Sequence, residues 1–134
     1  MSGPIGDLAT LLRSLEPELH DGVYVYAQLP AGADVTRFDA VASVREREGI
    51  SVILHEDDAA RAGLVALFRA RWITLTVHSD LEAVGLTAAF ARALADVGIA
   101  CNVIAGAVHD HVFVQAERAE DALAALRALQ ARSA

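Results

Sequence analysis

The chain has 134 residues, of which 54% are hydrophobic, enough apolar material for one domain or for two small repeated halves sharing a core. Its formal charge is −7 at pH 7 and all 11 of its basic residues are arginine, which speaks against the clustered basic surface that nucleic-acid binding needs. One cysteine, Cys101, rules out an intrachain disulfide, and no run approaches the roughly 20 apolar residues of a membrane-spanning helix.

The first segment, MSGPIGDLATLLRSL, carries an early acid and lacks the basic-then-apolar order of a secretory leader, so a cytoplasmic protein is expected. Leu8, Leu11, Leu12 and Leu15 recur at i, i+3, i+4 and i+7 and predict one face of a short helix. It should stop before Pro17, which has no N–H to donate. Asp21-Gly22 is a turn signal, and Val23–Leu29 alternates apolar and polar residues with the β-branched and aromatic content of a strand. After a loop at Pro30–Asp34, Phe38–Val44 alternates again, with Phe38, Ala40, Ala42 and Val44 on one side. Arg45–Gly49 then turns the chain into Ile50–His55, giving an antiparallel hairpin; its charges read as a solvated turn rather than a recognition loop. Glu56-Asp57-Asp58 suits the positive end of a helix dipole, and Gly63 keeps that helix short.

In the second half Arg71–Val77 is the clearest strand, with Ile73, Leu75 and Val77 on one face and Trp72, Thr74 and Thr76 on the other. From Leu81 the period changes from 2 to about 3.6. Ala83, Thr87, Phe90, Leu94 and Val97 form a stripe, and Gly98 follows as a C-terminal cap. Two strands, Ile99–Val108 and His111–Glu117, are expected around a His109-Asp110-His111 turn. Ala119, Ala122, Leu123, Leu126 and Leu129 give the apolar face of a closing helix that lacks a Ser, Thr, Asn or Asp cap. The second half therefore reads β-α-β-β-α and the first α-β-β-β-α, an order compatible with an old duplication. The fold class expected is α+β, with antiparallel sheets and helices packed on one face.

Catalytic chemistry finds little support. Cys101 would need a nearby base and a lowered pKa, and only His109 is near in sequence; a small apolar core residue is the simpler reading. No P-loop, dinucleotide fingerprint or serine elbow is present. In an extended segment His109 and His111 would share a face as metal ligands could, but a polar hairpin turn accounts for the same residues.

Gly85–Leu129 resembles the ACT domain, the amino-acid-sensing module of aspartate kinases and other regulated enzymes. The shared parts are a strand (Trp72–Val77), Gly85, a helix (Leu86–Val97), the Gly98-Ile99 turn, a hairpin (Cys101–Gln115) and a helix (Ala119–Gln130). The whole chain is similar to small stand-alone bacterial proteins related to the paired ACT modules of aspartate kinase. The segments LLRSLEPELHDGVYVYAQL and WITLTVHSDLEAVGLTAAFARALADVGIACNVIAGAVHDHVFV carry that likeness.

The resemblance implies two ferredoxin-like βαββαβ halves, residues 1–67 and a more regular 68–134. It implies no catalysis and no cofactor. A small ligand, an amino acid, would sit at the turn His78–Leu86, using Ser79, Asp80, Leu81, Glu82, Val84, Gly85 and Leu86, against a facing strand at Asn102, Val103 and Ile104. Backbone N–H groups at the helix start would attract a carboxylate, Gly85 would allow close approach, and Asp80 or Glu82 would receive an ammonium. Gly85→Val is expected to abolish binding with little unfolding. A homo-oligomer without nucleic-acid or membrane partners completes the expectation. The alternatives are a structural or protein-interaction module without a small ligand, and a histidine-rich metal-binding protein.

Overall fold

Residues 3–134 are described by the computed structural model. In chain order the elements are α1 (Leu8–Arg13), β1 (Pro17–Leu19), β2 (Tyr24–Leu29), β3 (Ala40–Arg45), β4 (Ile50–His55) and α2 (Glu56–Arg61). They continue with β5 (Phe68–Leu75), α3 (Leu86–Asp96), β6 (Asn102–Ala105), β7 (Asp110–Gln115) and α4 (Ala119–Arg132). Two units divide the chain: Asp21–Arg71, and the segment ending at His20 together with Trp72–Ala134. Strand β5 thus gives its first residues to one unit and its last to the other. Among the described residues no helix is long and apolar enough to cross a membrane.

In the Asp21–Arg71 unit, β4 pairs antiparallel with both β2 and β3, and β2 also pairs with the start of β5 through Tyr24↔Ala70 and Tyr26↔Phe68. The alternation read from the sequence holds on β2, and β4 forms the expected hairpin partner. Val25, Ala27 and Leu29 meet Ile50, Val52, Leu54 and Ala59 of α2 in one buried cluster. On β3 it fails. Phe38 precedes the strand, the register shifts between Ala40 and Ala42, and Val44 is exposed. An extra residue in one strand breaks the two-residue period locally, as bulges on edge strands do. Helix α2 starts where its three acids predict, capped by His55 Nδ1, which accepts from the Asp57 N–H at 3.2 Å.

In the other unit β1 pairs antiparallel with the end of β5, β7 lies next to β5, and β6 pairs with β7. Helices α1, α3 and α4 bury Leu11, Phe90, Leu94 and Leu126 against Ile73, Leu75, Val112 and Val114 of the sheet. Helix α4 buries the five residues its period predicted. Helix α3 does not follow its predicted stripe. It begins at Leu86 rather than near Leu81, so its phase is set by Leu86, Phe90, Ala93 and Leu94, while Thr87 and Val97 are exposed. The His109-Asp110-His111 triplet is not the hairpin turn either. The chain turns between Gly106 and His109, whose N–H and C=O bond at 2.9 Å, and Asp110 and His111 open β7.

Candidate functional site

The turn after β5 is held from three directions. Ile5 forms a parallel bridge with Ser79: its N–H donates to the His78 carbonyl at 2.8 Å and its carbonyl accepts from the Asp80 N–H at 2.9 Å. The Ser79 N–H donates to Val108 O at 3.1 Å. Asp80 accepts the Glu82 N–H on Oδ1 at 2.9 Å and the Ala83 N–H on its carbonyl at 3.0 Å, closing a local turn of a kind aspartate favours. Gly85 then caps α3 at φ 104° and ψ −19°, without a side-chain cap.

That backbone is one a side chain rarely adopts, and a Cβ there would stand 3.0 Å from Leu8 Cδ2. Gly85→Val therefore strains the fold as well as the turn, contrary to the expectation of little unfolding.

Of the residues expected at the site, Ser79, Asp80, Glu82, Gly85 and Leu86 gather on this turn, with Leu86 buried under the helix. Leu81 and Val84 project from it, 65% and 85% exposed. Asn102, Val103 and Ile104 lie on β6 opposite Phe113, Val112 and His111. Asn102 Nδ2 donates to Phe113 O at 3.3 Å, and Val103 packs against the helix-side core. On the strand, then, Asn102 and Ile104 share the face opposite Val103.

Two features escaped the sequence reading. Asp110, only 7% exposed, accepts from Ser79 Oγ at 3.4 Å, and burial above all pushes its carboxyl up from the ordinary 3.8, opposed by that hydroxyl and by His111 and His109. The second is a network on the sheet face away from the helices. His20 stacks on Trp72 at 3.7 Å, His20 Nε2 lies 2.6 Å from Thr74 Oγ1, and His111 Nδ1 lies 3.1 Å from both Thr74 Oγ1 and Trp72 Nε1. The alternation that puts Trp72 and Thr74 on one face of β5 was visible; their histidine partners were not.

His109 faces the Val77 carbonyl at 3.3 Å. Among the described residues no group of three or more His, Cys, Asp and Glu is arranged to hold a metal. Cys101 is half-buried beside the core, and burial pushes its thiol up to about 11, which leaves little thiolate for nucleophilic attack near neutral pH.

Residues 4–71 match one family model and residues 67–128 another, both described as ACT domain. A solved Vibrio cholerae structure, described as a protein of unknown function and possible transport protein, is 48% identical. The match covers 92% of this chain and 95% of that one, with a TM-score of 0.82. The ligand-free regulatory subunit of aspartate kinase from Thermus thermophilus is 14% identical over 87% of this chain and 97% of its own, with a TM-score of 0.68. An Agrobacterium tumefaciens protein is 17% identical over 85% and 87%, with a TM-score of 0.69. The last two likenesses concern the fold alone. Comparison with curated proteins finds no match.

Proposed function

The chain belongs to the ACT domain family along both halves, and from that premise we propose that it is a non-catalytic, cytoplasmic regulatory module binding an amino acid at the turn Ser79–Leu86. Its repeats are residues 1–67 and 68–134. The observation that carries the reading is one turn, Ser79–Leu86, which leads into the 11-residue α3 at Gly85 and is joined at Ser79 to the buried carboxylate of Asp110. The N–H groups of the first helical turn attract the ligand carboxylate. Asp110 joins Asp80 and Glu82 as a receiver of the ammonium; Asp80 already spends one oxygen on the Glu82 N–H. In a homo-oligomer, Asn102 and Ile104 of a second copy close the site.

The test is a thermal-shift and calorimetry screen of the proteinogenic amino acids. A ligand that favours the folded state at 100 times its Kd adds about 2.7 kcal/mol of stability. One amino acid, or a chemically related set, should raise Tm, and Asp110→Asn should weaken that response; a flat screen sinks the reading. The exposure of Leu81 and Val84 favours a second reading, in which the same turn docks a protein rather than a small molecule. Self-association lost in Leu81→Ser and Val84→Ser, with no response to any amino acid, would select it.

A further inference from the structure

The Asp21–Arg71 unit repeats the element order of the C-terminal half with one replacement. Where β5 and β6 are joined through α3, which packs on α4, β2 and β3 are joined through only a single turn of 3-10 helix, Val35–Arg37. Helix α2 rests on β2 and β4, and beside it lies a cleft of about 400 Å³. Phe38, Leu54 and Ala62 supply its apolar lining; Arg37, Asp39, Asp58 and Arg61 supply its charges.

Those charges sort into two sets. Arg61 and Asp58 neutralise each other as an ion pair one helical turn apart. Arg37 and Asp39 flank Phe38, are exposed, and have no ion-pair partner among the described residues. The cleft thus offers one uncommitted cation and one uncommitted anion beside an apolar wall. A simple anion would satisfy Arg37 and be repelled by Asp39; a simple cation would do the reverse. The volume also discriminates. It lies at the lower end of the roughly 300–1,000 Å³ of small-molecule sites.

We propose that this cleft is a second small-molecule site, for a zwitterion with a compact apolar body. Arg37 takes the carboxylate, Asp39 takes the ammonium, and the apolar part lies against Phe38 and Leu54. None of these residues belongs to the turn Ser79–Leu86, so the two sites stand or fall separately.

The experiment is a ¹⁵N–¹H titration of the full chain with L-alanine, L-valine, L-leucine and L-methionine. The two controls are leucinamide, which lacks the carboxylate, and 4-methylpentanoate, which lacks the ammonium. At least one amino acid should give saturable shifts at the amides of Arg37, Asp39, Arg61 and Ala62. Arg37→Gln, Asp39→Asn and either control should weaken binding by about tenfold or more. Both substitutions fall on exposed side chains, and unchanged spectra elsewhere would verify folding. Absence of saturable shifts at these amides, or affinity unmoved by both substitutions, overturns the proposal. Shifts confined to Ser79–Leu86 would overturn it while leaving the turn reading intact; shifts confined to the cleft, insensitive to Asp110→Asn, would do the opposite.

Discussion

Trp72 donates its indole N–H to Nδ1 of His111 across 3.1 Å, and that contact specifies the protonation of the histidine. A ring nitrogen that accepts carries no proton, so His111 is neutral with its hydrogen on Nε2. The Thr74 hydroxyl, 3.1 Å from the same Nδ1 and 2.6 Å from His20 Nε2, can donate to His111 while accepting from His20. Protonating His111 at Nδ1 would set its N–H against the indole N–H of Trp72, which can only donate.

The resulting pH dependence has a definite sign. Burial first, then His109 and His20, push His111 below the ordinary 6.5, against a smaller upward pull from Asp110. Below about 6.5 the unfolded chain therefore binds a proton that the folded chain resists, and stability falls as pH falls through the depressed folded pKa. Melting followed by Trp72, the only tryptophan, between pH 8 and 5 should show this loss. His111→Gln keeps an acceptor but cannot titrate, so its Tm should be flatter from about pH 7 to 5.5. Equal slopes in the two proteins would remove the network as the source.

Asp110 has the opposite sign. Its folded pKa is raised, so its contribution is fully present below the unfolded pKa and is lost as pH rises through the folded one. Ionised, the carboxylate sits in a buried place with one hydroxyl contact at 3.4 Å. Asp110→Asn should therefore raise Tm of the ligand-free protein by roughly 2–5 °C at pH 7 and by less near pH 4. A drop at pH 7 would mean that the charge itself stabilises the turn.

Gly85 separates backbone from side-chain strain. With φ at 104°, Gly85→Ala should cost about 1–2 kcal/mol in chemical denaturation. Gly85→Asn should cost less, since asparagine tolerates positive φ better than other side chains. Leu8→Ala combined with Gly85→Ala should recover little, because the Leu8 methyl that a Cβ would meet is the movable end of a half-exposed side chain. Full recovery would place the cost in the Leu8 contact instead.

Much of the architecture was legible because it is written at short range. The two-residue alternation of β2 and β5, the acid-led start of α2 and the spacing of buried residues along α4 depend on neighbours two to four positions apart. The errors came where a local pattern had two solutions. The stripe on α3 could start at Leu81 or Leu86, and the Asp80 turn, bonded to Ile5, delays it to the second. The His-Asp-His triplet suited either a turn or a strand, and Gly106 took the turn.

The sequence by itself determined the order of the helices and of every strand but the three-residue β1, the ACT family of the chain and, through that family's pattern, the stretch Ser79–Leu86 as a strand–helix turn. Only the tertiary structure decided which distant groups meet there: Ile5 on His78 and Asp80, Asp110 on Ser79, and His20 with His111 around Thr74. The reason is register. Side-chain faces alternate along a strand, so sliding two paired segments by one residue would turn Thr74 and His111 to the opposite face and break the backbone bonds of Ile5. That choice is made by the packing of the whole core, not by the residues on either side of each group.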